Sequence, residues 1–202
     1  MPLPDAPAAL AATAGHPSTD DGPGGGPVRS VIVGTGGIAG AHAGAVLAQG
    51  GATRLVAVVD LDRPKAEEFA RAWDVPVVAT DLADVLGRHQ VDVVHVCTPP
   101  GTHAGLATQA LAAGAHVLLE KPPALSLAEV DQVLHAQDAA RGTGPGGRDP
   151  QVAVVFQHRF GAGAGRLRSL LDAGVLGRCL VARCDTQWFR PPGYFDVPWR
   201  GR

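Results

Sequence analysis

The 202-residue sequence has few aromatic residues, no surplus of positive charge, no paired cysteines and no long apolar run. Aromatic residues make up 4% of the chain and the formal net charge is −2, which argues against base-stacking platforms and against bulk attraction to nucleic acid or anionic membrane. Cys97, Cys179 and Cys184 form no C-x-x-C pair, so we expect neither a metal site nor a disulfide framework. No apolar run approaches the about 20 residues of a membrane span.

The N-terminus also lacks the features of an export signal. It has no basic region followed by an apolar segment, and it has no twin arginines. Unpaired cysteines are typical of a reducing compartment. We therefore expect a cytoplasmic protein with no membrane partner and no nucleic-acid partner.

The two ends of the chain differ in composition from its middle. Residues 1–27 are mostly Pro, Ala and Gly, and they offer too little apolar surface to offset the entropy of ordering, which predicts a disordered tail. Beyond Phe160 a helix over 164–173, ended by Gly174, leads into an alternating strand over 177–189 and a Pro- and Gly-rich end. This change of pattern indicates the opening of a second domain of α+β type.

Between residues 28 and 156, short apolar runs alternate with helical patterns. Each run is rich in Val or Leu, as in strands that are covered on both faces. Asp62 is placed to cap the second helix, Gly114 to end a helix that starts near Thr102, and Ser126-x-x-Glu129 is a capping box. The alternation predicts an α/β fold with a doubly wound parallel sheet. Its strands are predicted at 28–34, 54–60, 75–79, 91–97, 116–120 and 151–156.

A glycine-rich turn follows the first predicted strand. Gly34-x-Gly36-x-x-Ala39 fits the G-x-G-x-x-G/A pattern that binds a dinucleotide pyrophosphate between a strand and a helix. Gly34 permits the tight turn, Gly36 lets the backbone approach the phosphates, and the small Ala39 allows close packing of helix on strand. Gly37 and Ile38 complete the turn, where the helix N-terminus supplies N–H groups.

An acidic residue ends the second predicted strand. Asp60 stands where a carboxylate can accept hydrogen bonds from the two ribose hydroxyls of an adenosine. Its charge would repel a 2′-phosphate and therefore favours NAD over NADP, although nearby Arg63 keeps NADP possible. S-adenosylmethionine enzymes use a related arrangement of turn and acid, so these residues alone leave the cofactor open.

Two further strands end in polar or charged residues. The fourth runs into Thr98, Pro99 and His103, and the fifth ends at Glu120-Lys121 before two prolines. Ligands of doubly wound sheets bind outside the carboxyl ends of the strands. Lys121 could therefore bind a substrate hydroxyl and assist its proton loss, the alternative being a solvated strand end. His103 is more simply explained as a structural residue.

Four motifs, taken together and in order, resemble the Gfo/Idh/MocA oxidoreductases, named for glucose–fructose oxidoreductase, inositol dehydrogenase and rhizopine catabolism. The motifs are VIVGTGGIAGAHAGAV, VAVVD, CTPPGTHA and EKPPALS, and the resemblance extends over residues 28–201. It implies a Rossmann dinucleotide-binding domain over 28–150. Residues 151–202 would then hold the last Rossmann strand and an incomplete substrate domain. It also implies NAD(P)-dependent hydride transfer to or from a sugar, a polyol or a related carbonyl compound.

The resemblance also implies roles for individual residues. Lys121 matches the family's catalytic lysine and is also expected among the cofactor-binding residues, and Glu120 matches the glutamate that contacts the cofactor or supports the lysine. The remaining matches fall into three groups: the cofactor-binding residues Gly34, Gly36, Ala39 and Asp60; the loop near the cofactor, Thr98, Pro99 and His103; and residues facing the substrate cleft or the cofactor, Gln157, Arg159, Trp199 and Arg200.

The sequence departs from the family pattern after W-R-G. Members of the family continue into a glycine-rich loop and an Asp-x-x-x-His motif, which have no counterpart in these 202 residues. We therefore expect little turnover by this chain alone, and a homo-oligomer is possible although the usual interface sheet is mostly missing. The alternatives are a non-catalytic NAD-binding module or inactive truncated relic, and an S-adenosylmethionine-dependent transferase. The transferase gives no reason for Glu120-Lys121-Pro122.

Overall fold

A computed structural model describes residues 26–197 of the chain, and they form a sheet with helices on both faces. The strands are β1 Val28–Val33, β2 Thr53–Val59, β3 Val77–Ala79, β4 Val93–Val96, β5 His116–Glu120 and β6 Val152–Val155. The helices are α1 Ala39–Leu47, α2 Arg63–Trp73, α3 Leu82–Arg88, α4 His103–Ala112, α5 Leu127–Ala139 and α6 Ala162–Asp172. Short 3₁₀ turns lie at Pro100–Thr102, Pro145–Gly147, Gln157–Phe160 and Pro192–Tyr194.

The six strands form one parallel sheet in the order β3-β2-β1-β4-β5-β6. The predicted doubly wound parallel sheet is confirmed, and the observed strands differ from the predicted ones by only a residue or two at most ends. The chain reverses its direction of travel across the sheet between β1 and β4. This reversal leaves a crevice beside the carboxyl ends of these two strands.

Helices cover both faces, which explains why the strands are apolar along their whole length. Successive strand residues point to opposite faces. Val31 and Val33 of β1 therefore belong to the cluster packed under α3, α4 and α5, whereas Ile32 packs with α1 and α2. Alanines such as Ala39 and Ala107 are fully buried at the helix–sheet contacts, where a small side chain allows close approach.

The helix boundaries follow the predicted signals with one difference. The Asp62 carboxylate accepts a hydrogen bond from the Lys65 N–H at the start of α2, and Gly114 adopts a φ of 81° just after α4. Ser126 accepts from the Glu129 N–H as expected of a capping box. The Glu129 carboxylate, however, accepts from the N–H of Leu125 and not from that of Ser126.

The predicted strand over 177–189 is wrong. Residues 178–190 form no regular secondary structure, and Leu180, Val181 and Phe189 are 80%, 87% and 87% exposed. A strand is held by hydrogen bonds to a neighbouring strand, and within residues 26–197 no strand lies beside this segment. The alternation of apolar and polar residues is typical of a strand, but a strand also needs a neighbouring strand to which it can hydrogen-bond.

The helix expected before this segment is present as α6, and Gly174 follows it with a φ of 69°. The division of the chain into domains at residue 150 stays a prediction. The tail expected at 1–27 lies, apart from its last two residues, outside the described residues. Among the helices of the described part, none is both long and apolar enough to cross a membrane.

A partly buried ion pair closes the amino-terminal edge of the sheet, and it yields a first prediction. The Asp92 carboxylate accepts from the backbone N–H, Nε and Nη2 of Arg29 at 2.7, 2.8 and 2.7 Å. The hydrogen bond from the Arg29 side chain outweighs burial and lowers the pKa of Asp92. Because hydrogen bonds to charged groups contribute about 1.5–3 kcal/mol, we expect Asp92→Asn to lower the free energy of unfolding at pH 7 by about that amount.

Urea unfolding at several pH values tests this expectation. A folded-state pKa below the unfolded value of about 4 means that the stabilisation is fully present above pH 4 and is lost as the pH falls through the folded pKa. The difference between wild type and Asp92→Asn should therefore shrink in acid. The control is Asp138→Asn, which removes an exposed pairing with Arg141 and should hardly move the midpoint. Equal effects of the two variants would contradict the prediction.

Gly34 supplies a second prediction, with a matched control two residues away. Its φ is 88°, and a Cβ atom there would lie 2.8 Å from Thr98 Cγ2 and 2.9 Å from the carbonyl carbon of Cys97. We expect Gly34→Ala to cost about 1–3 kcal/mol in the free energy of unfolding, because backbone strain adds to the clash. A Cβ at Gly36 would meet no atom within 4 Å, so Gly36→Ala should be close to neutral. Urea unfolding that gave the two variants the same stability would refute this.

Candidate functional site

The register of the sheet brings the ends of the strands into line. Val33 pairs with Val59 on one side and with Val96 on the other, Val96 pairs with Leu119, and Leu119 pairs with Val154. The residues that follow these partners therefore lie along one edge, called here the carboxyl edge. They are Asp60, Gly34, Cys97, Glu120 and Val155.

The glycine turn begins at this edge and leads into α1. The Gly34 N–H donates to the Val59 carbonyl at 2.7 Å, and the residue packs against the Cys97–Thr98 backbone too closely to carry a side chain. Beyond Gly34, neither Gly36 nor Gly37 has an atom within 4 Å of where its Cβ would be. The turn is therefore closed on the side of the protein and open on the other side. The tight contact between Gly34 and β4 could not be predicted from the glycine pattern alone.

Ile38 and Ala39 mark the start of α1. Ile38 is 43% exposed and makes no side-chain hydrogen bond to the helix, whereas Ala39 is fully buried against the sheet. The first N–H groups of an α-helix have no partner within the helix. No side chain caps this end, but the Ala39 N–H donates to the Gly36 carbonyl and the Ala41 N–H to the Ile38 carbonyl, both at 3.0 Å, so only part of this group of N–H donors is left for a ligand on the open side of the turn.

Asp60 is fixed against the glycine turn by three hydrogen bonds. One carboxylate oxygen accepts from Thr35 N–H at 2.7 Å and from Thr35 Oγ1 at 2.8 Å, and the other accepts from the Asp62 N–H at 3.0 Å. Burial raises the pKa of Asp60, but these hydrogen bonds and the charge of Lys65 outweigh it and lower that pKa. Asp60 is thus held as a carboxylate with acceptor capacity to spare. The partnership with Thr35 was not predicted.

His103 connects two loops at the carboxyl edge. Its side chain is completely buried, with Nε2 2.8 Å from the Thr98 carbonyl oxygen and Nδ1 2.8 Å from the Pro122 carbonyl oxygen. Thr98 is half-buried and accepts a hydrogen bond from Thr102 Oγ1 at 2.7 Å, and Pro99 is exposed. His103 therefore connects the loop after β4 to the loop after β5 from the buried side, while Thr98 and Pro99 lie nearer the surface.

Lys121 stands exposed at the end of β5. Its backbone N–H donates to Glu120 Oε2 at 3.2 Å, and its peptide bond to Pro122 is cis. Within residues 26–197 no carboxylate forms an ion pair with its ammonium group. The Lys121 side chain is therefore available to a ligand at the carboxyl edge.

Glu120, in contrast, is buried and hydrogen-bonded to a histidine. Glu120 Oε1 lies 3.1 Å from His42 Nε2, and His42 Nδ1 lies 3.1 Å from His95 Nδ1. Each of these three residues is at most 8% exposed. The sequence did offer a signal for His42, which occupies the buried stripe of α1 with Ala39, Ala43 and Val46 and is the one polar residue there.

The other residues predicted for the site follow β6 or are not described. Gln157 and Arg159 are exposed on the 3₁₀ turn that follows β6, the strand paired with β5. Trp199 and Arg200 lie outside the described residues. Among residues 26–197 no cluster of three or more His, Cys, Asp or Glu side chains could hold a metal ion. A large concavity lined by Arg29, Arg54 and His89 lies at the opposite edge of the sheet and contains none of the predicted site residues.

Comparison with known proteins shows a family to which most of the described sheet belongs and several dehydrogenase relatives. A family model described as "Oxidoreductase family, NAD-binding Rossmann fold" (GFO_IDH_MocA) matches residues 28–143. Inositol 2-dehydrogenase 1 of Saccharopolyspora erythraea is 32% identical over 158 residues, which cover 78% of this chain and 45% of the relative. D-glucoside 3-dehydrogenase of Escherichia coli is 33% identical over 155 residues, covering 77% and 42%.

A solved structure supports the same relationship. The WlbA dehydrogenase from Chromobacterium violaceum, in complex with NADH and UDP-GlcNAcA, superimposes with a TM-score of 0.79 at 28% identity. The match covers 87% of this chain and 48% of that chain, so this chain spans about half the length of the relatives it matches. The relationship favours NAD over S-adenosylmethionine as the cofactor. The chain belongs to the Gfo/Idh/MocA oxidoreductase family and carries its NAD-binding Rossmann fold.

Proposed function

We propose that this chain binds NAD(H) along the carboxyl edge and takes part in hydride transfer to or from a sugar, a polyol or a related carbonyl compound. The observation that carries the proposal is the alignment of Asp60, the glycine turn and Lys121 at the carboxyl ends of β2, β1 and β5, on either side of the reversal point between β1 and β4. The relatives named for inositol and D-glucoside support the substrate class.

The glycine turn fits the pyrophosphate. A phosphate needs close approach to backbone N–H groups, and the space beside Gly36 and Gly37 is free of protein atoms within 4 Å of a Cβ position. The uncapped N-terminus of α1 faces the same side and places positive dipole there. A Cβ atom at Gly36 would occupy this space without contacting other protein atoms.

Asp60 fits the adenosine ribose and favours NAD over NADP. Its carboxylate is ionised and fixed by Thr35, and each of its oxygens can accept more than one hydrogen bond. A 2′-phosphate would bring two negative charges together at this position. Arg63, which could neutralise a phosphate, is engaged with Glu67 at 3.1 Å.

Lys121 fits the substrate end of the site. When bound, the nicotinamide supplies or accepts the hydride. The exposed Lys121 ammonium would donate a hydrogen bond to the substrate oxygen, which stabilises the negative charge that develops there and assists proton transfer. Glu120 supports this end of β5 by accepting the Lys121 N–H.

A second candidate is an NAD-binding module without turnover. One observation favours it: the apolar side chains at 178–190 are exposed, and the described residues include no second sheet on which a substrate could lie. Both candidate functions require cofactor binding, so the first test measures cofactor binding. The second test measures turnover, which distinguishes the two.

The first test compares NADH and NADPH binding by fluorescence titration. We expect wild type to prefer NADH, and Asp60→Asn to weaken NADH binding about tenfold, because hydrogen bonds to a charged acceptor are replaced by weaker ones. NADPH binding should be unchanged or stronger in the variant. The control is Asp62→Asn, which removes a neighbouring charge but keeps a good helix cap. Identical NADH affinity in wild type and Asp60→Asn would sink the assignment of Asp60.

The second test uses Lys121→Met, which keeps an unbranched side chain of nearly the same length and removes its charge. We expect the dissociation constant of NADH to change by less than about threefold, because the substitution removes the ammonium group and leaves the backbone at the end of β5 in place. Any NAD⁺ reduction with a panel of polyols and sugars should fall by about 10²–10⁴, the usual contribution of a proton-transfer group. Turnover that survives in Lys121→Met would refute the role of Lys121. NADH binding without turnover in wild type would favour the binding module.

A further inference from the structure

The proposed roles leave one buried polar group of the site unexplained. His42 belongs to α1, the helix that begins at the glycine turn, yet it contacts the residue directly before Lys121 at the end of β5. The helix and this strand end are 78 residues apart in the sequence. Strand β4 lies between β1 and β5, and its His95 contacts His42. Cys97 directly follows this strand.

The donors and acceptors of this cluster determine which group donates in the hydrogen bond between His42 and Glu120. Glu120 Oε2 accepts the Lys121 N–H, and Glu120 Oε1 faces His42 Nε2, so a carboxylate at this position requires a proton on His42 Nε2. His42 Nδ1 faces His95 Nδ1, and one proton lies between these two nitrogens. Whichever ring carries that proton, His42 donates to Glu120.

The cluster is suited to holding a position and not to conducting protons. Burial, together with the neighbouring His42, lowers the pKa of His95 to about 4, and burial next to Glu120 raises the pKa of the Cys97 thiol to about 12. Both groups are therefore neutral and fixed near pH 7. A proton passed from the carboxyl edge through His42 would end at His95 inside the sheet, where a positive charge is disfavoured.

We infer that His42 is a positioning residue, which fixes the Glu120–Lys121 end of β5 relative to the glycine turn by donating its Nε2–H to Glu120. The inference rests on the proposed NAD-binding function. Helix α1 holds the pyrophosphate in that proposal, and Lys121 lies at the nicotinamide end. The buried contact between His42 and Glu120 thus sets the spacing between the two ends of the cofactor site.

The contact itself is tested by NMR of protein labelled with ¹⁵N-histidine. We expect the His42 signals, identified by their loss in His42→Gln, to show a protonated Nε2 whose proton is shifted downfield and exchanges slowly with water. Glu120→Gln should reduce that downfield shift, because the acceptor loses its charge. An unprotonated Nε2, or signals that do not respond to Glu120→Gln, would overturn the inference whether or not the protein binds NAD(H).

The positioning role is tested by comparing NADH with ADP-ribose, which lacks the nicotinamide. We expect His42→Phe to weaken NADH binding about tenfold, because a displaced loop loses contacts that depend on sub-ångström placement. ADP-ribose should bind within about threefold of wild type, since it uses the glycine turn and Asp60 alone. His42→Gln, whose amide can donate to Glu120, should recover most of the NADH affinity. His135→Phe on α5 is the control for the substitution itself.

Each outcome distinguishes the inference from the function on which it rests. Wild type that binds neither ligand would overturn the proposed function and the positioning role together. Unchanged NADH affinity in His42→Phe, or equal losses for NADH and ADP-ribose, would overturn the positioning role alone. If His42→Phe does not fold, Glu120→Gln serves the same comparison, because it weakens the same contact and nearly conserves volume.

Discussion

Every feature of the carboxyl edge depends on the parallel pairing of β1 with a strand on each side. Val33 is aligned with both Val59 and Val96, so the turn that follows β1 is placed between Asp60 and the Cys97–Thr98 backbone. A slip by one residue in this pairing would turn the apolar side chains of β1 to the wrong faces and would also separate these groups. The same hydrogen bonds therefore hold the core together and assemble the candidate site.

The polar groups beneath that edge are buried or half-buried, and each has a partner. Asp60 is bound by Thr35, Glu120 by His42, and His103 by two carbonyl oxygens. Burying such a group without a partner would cost several kcal/mol. That cost is a large fraction of the net free energy of unfolding of a domain. Paired, they connect four segments that are distant in the sequence. The side chains left exposed at the edge, such as that of Lys121, do not take part in these structural contacts.

The sheet could be predicted from the sequence, because strands buried on both faces leave continuous runs of Val and Leu. Asp62, Gly114 and Ser126 likewise act within one turn of their own position, and the sequence shows them directly. The contacts of Gly34 with Thr98 and of His42 with Glu120 depend on which strands become neighbours, and local pattern does not contain that information. The strand expected at 177–189 failed for the same reason, since alternation describes one strand and not its partner.

The positive φ of Gly34 and its contact with Thr98 also have a genetic consequence. Every single-base change that replaces glycine in a codon introduces a residue with a Cβ atom, so each such missense change meets the same steric barrier. Selection for folding alone would therefore conserve glycine at this position. At Gly36 the protein leaves room for a side chain, and only selection for a bound ligand would keep glycine there. A survey of natural variation could thus separate the demands of the fold from those of the ligand at two positions of one turn.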